Sequence, residues 1–132
     1  MHIEEIDQYK VACHVFQRDL KPNGIMVEDI VNRTPLAHIF FQKVGRLARE
    51  STEYKWPGCA SSMTMEFYPD EIVLTFSERI EDYLYNLQQT GYALSGQQAD
   101  FFQQLIDKIR ESSEEEARTI IKNFEQNVRD AQ

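Results

Sequence analysis

The 132 residues are 42% hydrophobic, with 8 Phe, 6 Tyr and 1 Trp, enough for one compact core without disulfides or metals. Acids outnumber bases 22 to 14, and the resulting net charge of −8 opposes phosphate backbones and anionic bilayers, which argues against general nucleic-acid binding and membrane attachment. Two cysteines without a CxxC spacing make no disulfide framework, the opening MHIEEIDQYK has no apolar signal core, and no run approaches the roughly 20 apolar residues of a membrane span, so the expectation is a cytoplasmic protein.

Residues 3–7 and 10–16 read as two paired strands turning at Asp7-Gln8. In the second, Val11, Cys13 and Val15 share one face, and Lys10, Ala12 and His14 share the other. Residues 18–24, with Pro22-Asn23-Gly24, predict a turn, and 26–31 a short helix. Thr34 as N-cap and Pro35 at the first helical position then open a longer helix. Its Leu36, Ile39, Phe40, Val44 and Leu47 form one apolar stripe, opposite His38, Gln42, Arg46 and Arg49. A loop through Trp56-Pro57-Gly58 leads to a β-hairpin: Met63, Met65 and Phe67 alternate on one strand, Ile72, Leu74 and Phe76 on the next, with Pro69-Asp70 between them.

Beyond Ser77 the pattern becomes helical. Ser77 is expected to cap a helix over 78–89, ended by Gly91, with Ile80, Tyr83, Leu84 and Leu87 as its stripe. Ser95 is expected to cap a second, carrying Phe101, Phe102, Leu105, Ile106 and Ile109. Ser112 and Ser113 each stand three residues before a glutamate, a capping-box pattern that suggests a restart. The last helix would then present Ala117, Ile120, Ile121, Phe124 and Val128, although one continuous bent helix satisfies the same spacing. The fold class is therefore α+β: a β-β-α-β-β module over 1–77 with a small antiparallel-type sheet, followed by a helical C-terminal tail over 78–132.

Chemistry-bearing patterns are sparse. His2, His14 and His38 stand in no HxxxH or HExxH spacing, so no metal site is expected, and no glycine-rich phosphate loop is present. Cys13 lies between Val11 and Val15 on an apolar face. Cys59, in the loop, is the more open thiol and, with Trp56, marks the place for a pocket if the chain is a small enzyme or ligand-binding protein. No cofactor is implied. The apolar faces of the tail either pack on the sheet and each other or meet a partner. For that second role the candidates are Phe101, Phe102, Leu105, Ile109, Ile120, Phe124 and Val128, with a homodimer as one outcome.

Residues 1–77 resemble the N-terminal domain of the MecA family of bacterial adaptor proteins. The resemblance is carried by the opening MHIEEIDQYKVACHVF, then Asp19-Leu20, Gly24-Ile25, Glu28-Asp29-Ile30 and Asn32-Arg33 in order. Ile25 stands where the family has an aromatic residue. The Phe40-Phe41 helix and the hairpin from Phe67 to Phe76 complete the set. The resemblance implies a non-catalytic adaptor that binds client proteins and delivers them to the unfoldase ClpC and its protease ClpP. It marks Asp19, Gly24, Glu28, Asp29 and Arg33 as partner-binding candidates. Residues 78–132 depart from it, with helical periodicity where the family's unfoldase-docking domain has strands around a helix.

Overall fold

The computed structural model describes residues 1–92 and 94–131. The chain forms two compact units: Met1–Trp56 with Met63–Phe76, and Pro57–Ser62 with Ser77–Gln132.

The first unit is a four-stranded antiparallel sheet in the order β1-β2-β4-β3, so β2 and β4 are central. Strand β1 (His2–Asp7) pairs with β2 (Lys10–Phe16), His2 opposite His14, with a slip between Glu5 and Asp7. The chain reverses at Gln8-Tyr9, one residue later than the pattern suggests, where Asp7 Oδ1 accepts the Tyr9 N–H at 3.0 Å. Strands β3 (Ser62–Phe67) and β4 (Glu71–Ser77) form the predicted hairpin, closed by Tyr68 N–H donating to Glu71 C=O at 2.9 Å. Between the two strand pairs come α1 (Gln17–Leu20), a 3-10 turn over Lys21–Asn23, α2 (Val27–Val31) and α3 (Pro35–Glu50). The core draws Val11, Cys13 and Val15 from β2 and Ile72, Leu74 and Phe76 from β4, so the period-2 reading of both strands holds.

The predicted stripe of α3 is corrected. The buried face is Ala37, Phe40, Phe41, Val44, Gly45 and Ala48, whereas Leu36, Ile39 and Leu47 are exposed. The reason is close packing. A Cβ at Gly45 would come within 3.0 Å of the Phe76 ring, so the small residues Ala37, Gly45 and Ala48 face inward. Three large aliphatics are left toward solvent.

The second unit contains α4 (Ile80–Tyr92), α5 (Gln97–Arg110) and α6 (Glu114–Asp130). The helices α5 and α6 are separate, because Ser113 Oγ accepts the Glu116 N–H at 3.2 Å and starts a new helix. Two boundaries differ from expectation. Helix α4 begins at Ile80 and runs past Gly91, where even a Cβ would make only ordinary contact with Phe102, at 3.7 Å, so the glycine does not end the helix. Ser95 is not a cap, since Gly96 at φ +66° immediately precedes α5. Tyr83, Leu84, Leu87, Ile106, Ile109, Ala117 and Ile121 form the core of this unit, together with Cys59 and Ala60.

Candidate functional site

The five positions matched by the resemblance lie on the short helices and turns between β2 and α3. Phe16 precedes α1 but has no side-chain oxygen to cap it. Asp19 supplies the reciprocal bond instead, its Oδ2 accepting the Phe16 N–H at 2.9 Å. The Met1 ammonium donates to the other oxygen at 2.9 Å. Burial works to raise this carboxyl, but the two hydrogen bonds and the positive charges of the N-terminus and Arg18 outweigh it and hold Asp19 below the ordinary aspartate range. The device repeats one turn later: Met26 precedes α2, and Asp29 Oδ2 accepts its N–H at 2.9 Å. Thr34 Oγ1 donates to Asp29 Oδ1 at 3.2 Å while accepting the Ala37 N–H at 3.3 Å, so the starts of α2 and α3 are joined through one carboxylate.

Gly24 takes the left-handed conformation at φ 66°, ψ 28°, and its N–H closes the 3-10 turn on Lys21 C=O at 3.0 Å. Arg33 does the same with a side chain, at φ 49°, where its N–H bonds Ile30 C=O at 3.2 Å after α2. Glu28 and Arg33 face solvent.

Beside Asp19 lies a groove of about 240 Å³. Phe40, Val44 and Leu47 of α3 form its apolar wall, and Arg18 and Lys43 stand exposed at its rim. Among the described residues no carboxylate lies within ion-pair distance of either cation. Lys43 Nζ donates to Asn23 Oδ1 at 3.1 Å, and the Arg18 guanidinium lies 5.0 Å from the centre of the Phe16 ring. The apolar stripe read from the spacing turned Leu47 toward the core. In the structure Leu47 is 40% exposed and lines the groove.

The candidates on the tail divide. Ile109 is buried, and Phe102, Leu105, Ile120 and Phe124 pack partly buried against the core of the second unit. Phe101, 53% exposed, and Val128, 41% exposed, remain on the surface. Phe101, Phe102 and Phe124 form an aromatic triangle with ring centres 5.9–6.2 Å apart.

Both cysteines are free and buried. Burial pushes the Cys13 thiol up to about 11. Cys59 Sγ lies 3.7 Å from an Arg118 guanidinium nitrogen and is 1% exposed, so the open thiol expected of the loop is closed. Trp56 Nε1 donates to Thr52 Oγ1 at 3.0 Å, and Arg49 stacks 5.4 Å from its ring centre. No group of three or more His, Cys, Asp and Glu among the described residues is placed to hold a metal ion, and no helix among them is long and apolar enough to cross a membrane.

On the sheet, His14 bridges two carboxylates: Nε2 meets Glu4 at 3.0 Å and Nδ1 meets Glu71 at 3.1 Å. The bond to Glu4 is the largest influence and raises His14. Partial burial opposes it, and Glu71 adds to the rise. A neutral imidazole has one N–H, so only the imidazolium donates to both acids. A histidine raised on folding contributes stability that is complete below its unfolded value of 6.5 and is lost as pH rises through the folded one. Stability is therefore expected to fall above about pH 6.5 by under ~1 kcal/mol, since Glu4 is half exposed. Melting of the full chain and of His14→Gln between pH 6 and about 8.5 checks this. The variant should lose that slope.

The sequence matches, over residues 1–132, the family described as "Negative regulator of genetic competence (MecA)". The chain belongs to the MecA family. The match extends past the residues that carry the resemblance and includes the three-helix segment. No curated protein and no solved structure matches the chain.

In this MecA family member, Asp19, Gly24 and Asp29 shape the segment between β2 and α3, which leaves Glu28 and Arg33 as the matched side chains turned outward. Asp29→Ala removes bonds at two helix starts and is expected to cost about 1 kcal/mol. Glu28→Ala should change stability by less than about 0.5 kcal/mol. Thermal melting of both variants separates a shaping residue from a surface one.

Proposed function

We propose that the chain is a non-catalytic adaptor that binds client proteins through its first unit and presents them to a ClpC-type unfoldase and its ClpP protease. The reading rests on the match to the MecA family over residues 1–132. A regulator of this kind needs surface rather than a reaction centre. The first unit offers Met26, Val31, Leu36, Ile39 and Leu47, between 40% and 65% exposed, on α3 and on and beside α2. Glu28 and Arg33 lie in the same stretch of chain and are the first positions to substitute in a client-binding screen. The tail supplies unfoldase contact or self-association, with Tyr85, Phe101 and Val128 among its exposed apolar positions.

The test mixes the purified chain with a ClpC-type unfoldase and follows co-sedimentation and ATPase rate together. Binding with a stimulated ATPase is the expected result. An unfoldase that neither sediments with the chain nor changes its ATPase rate overturns delivery to the protease.

A further inference from the structure

The groove beside Asp19 has a chemistry of its own. At about 240 Å³ it is smaller than the roughly 300–1,000 Å³ of cofactor and drug-sized sites, and it suits a single large side chain. Its wall of Phe40, Val44 and Leu47 calls for an apolar one. The rim calls for negative charge. Among the described residues Arg18 and Lys43 form no ion pair, and the acid lining the groove, Asp19, feels the Arg18 charge but already accepts from the Met1 ammonium and the Phe16 N–H. The rim is thus locally positive on a chain whose net charge is −8.

We propose that this groove seats a linear segment of a client protein in which a large apolar residue stands one or two positions from an Asp or Glu. The apolar side chain lies against Phe40, Val44 and Leu47, and the carboxylate lies between Arg18 and Lys43. This rests on the adaptor reading and adds to it the chemistry of the client. Burial of the apolar side chain supplies affinity, while the two cations set the register and reject basic segments. Arg18 can meet the carboxylate with two N–H groups, and Lys43 meets it as a point charge on a flexible stem.

The test uses the full chain alone, with no unfoldase, and a fluorescein-labelled, end-capped peptide of sequence Gly-Ser-Glu-Asp-Leu-Gly-Ser, read by anisotropy. Saturable binding is expected. It should weaken about tenfold for Lys43→Glu and for Arg18→Glu, stay unchanged for Lys55→Glu, and fall as salt rises. Replacing the peptide's two acids by lysine, or its leucine by alanine, should abolish it. Far-UV circular dichroism confirms that each variant is folded. No binding up to about 1 mM peptide, or binding indifferent to Lys43→Glu or to the peptide's charge, overturns the proposal. A chain that stimulates the unfoldase but ignores the peptide overturns the groove assignment and leaves the adaptor reading standing. One that binds the peptide but not the unfoldase does the reverse.

Discussion

Leu74→Ala is expected to lower the unfolding free energy by about 2–5 kcal/mol, a large fraction of the roughly 5–15 kcal/mol that holds a domain of this size. Leu74 is fully buried in β4, one of the two central strands, among the β2 and α3 side chains of the first core. Truncation there removes apolar contacts and leaves a cavity that packed neighbours fill only in part. Ile39→Ala removes as many carbons from α3, yet Ile39 is 63% exposed, and its loss should stay within about 0.5 kcal/mol. Urea unfolding of the two variants, followed by far-UV circular dichroism, compares them directly. Equal losses would mean that Ile39 is covered in solution by something other than the first core.

That pair also shows where reading the chain by pattern succeeds. A strand buried on one face needs only period 2, and Val11-Cys13-Val15 and Ile72-Leu74-Phe76 point inward as their alternation requires. A helix with a broad apolar arc leaves its rotation open. In α3, Leu36, Ile39 and Leu47 are as hydrophobic as the residues that are buried. The inward face is selected by Gly45, which lets the helix come close to Phe76. Hydrophobicity could not reveal this, because the deciding residue has no side chain. The spacing of Ala37, Gly45 and Ala48 along one helix face was the available signal.

The matched positions show a similar division. Residue types alone leave Asp19 and Asp29 free to bind partners or to fix turns. The structure gives each a backbone N–H three residues earlier, in Phe16 and Met26. The pattern Phe-x-x-Asp and Met-x-x-Asp was visible in the chain, but a capping box is sought from its Ser or Thr, and here that half is missing. The groove itself had no local signature. Its cations come from α1 and α3, 25 positions apart, and only the folded chain brings them to one rim.

Glu78→Ala is the second large effect, with an expected cost of about 2–3 kcal/mol. Glu78 is 1% exposed, and its Oε1 accepts the Gly58 N–H at 2.6 Å. Gly58 adopts φ +81° and Ala60 φ +61°, and the Ala60 N–H donates to Glu125 Oε1 at 3.1 Å. Two carboxylates of the second unit thus hold the backbone of Pro57–Ser62 in left-handed turns that would otherwise be strained at Ala60. Removal of Glu78 takes the acceptor from the Gly58 N–H and empties a buried site at once. Glu78→Gln keeps an acceptor there and should recover about half of the loss or more. Glu81→Ala, three residues on with a side chain 83% exposed, should be nearly silent. Chemical denaturation of the three variants gives the order, and a silent Glu78→Ala would overturn it. Along the chain Glu78 and Glu81 look alike, two acids at a helix start facing the positive end of its dipole. Ser77 misleads further. Its hydroxyl accepts the Arg79 N–H at 3.1 Å and donates to Asp82 at 2.6 Å, while α4 begins only at Ile80. What separates the two glutamates is a partner 20 residues away at Gly58, and that proximity is created only when the second unit assembles around Pro57–Ser62.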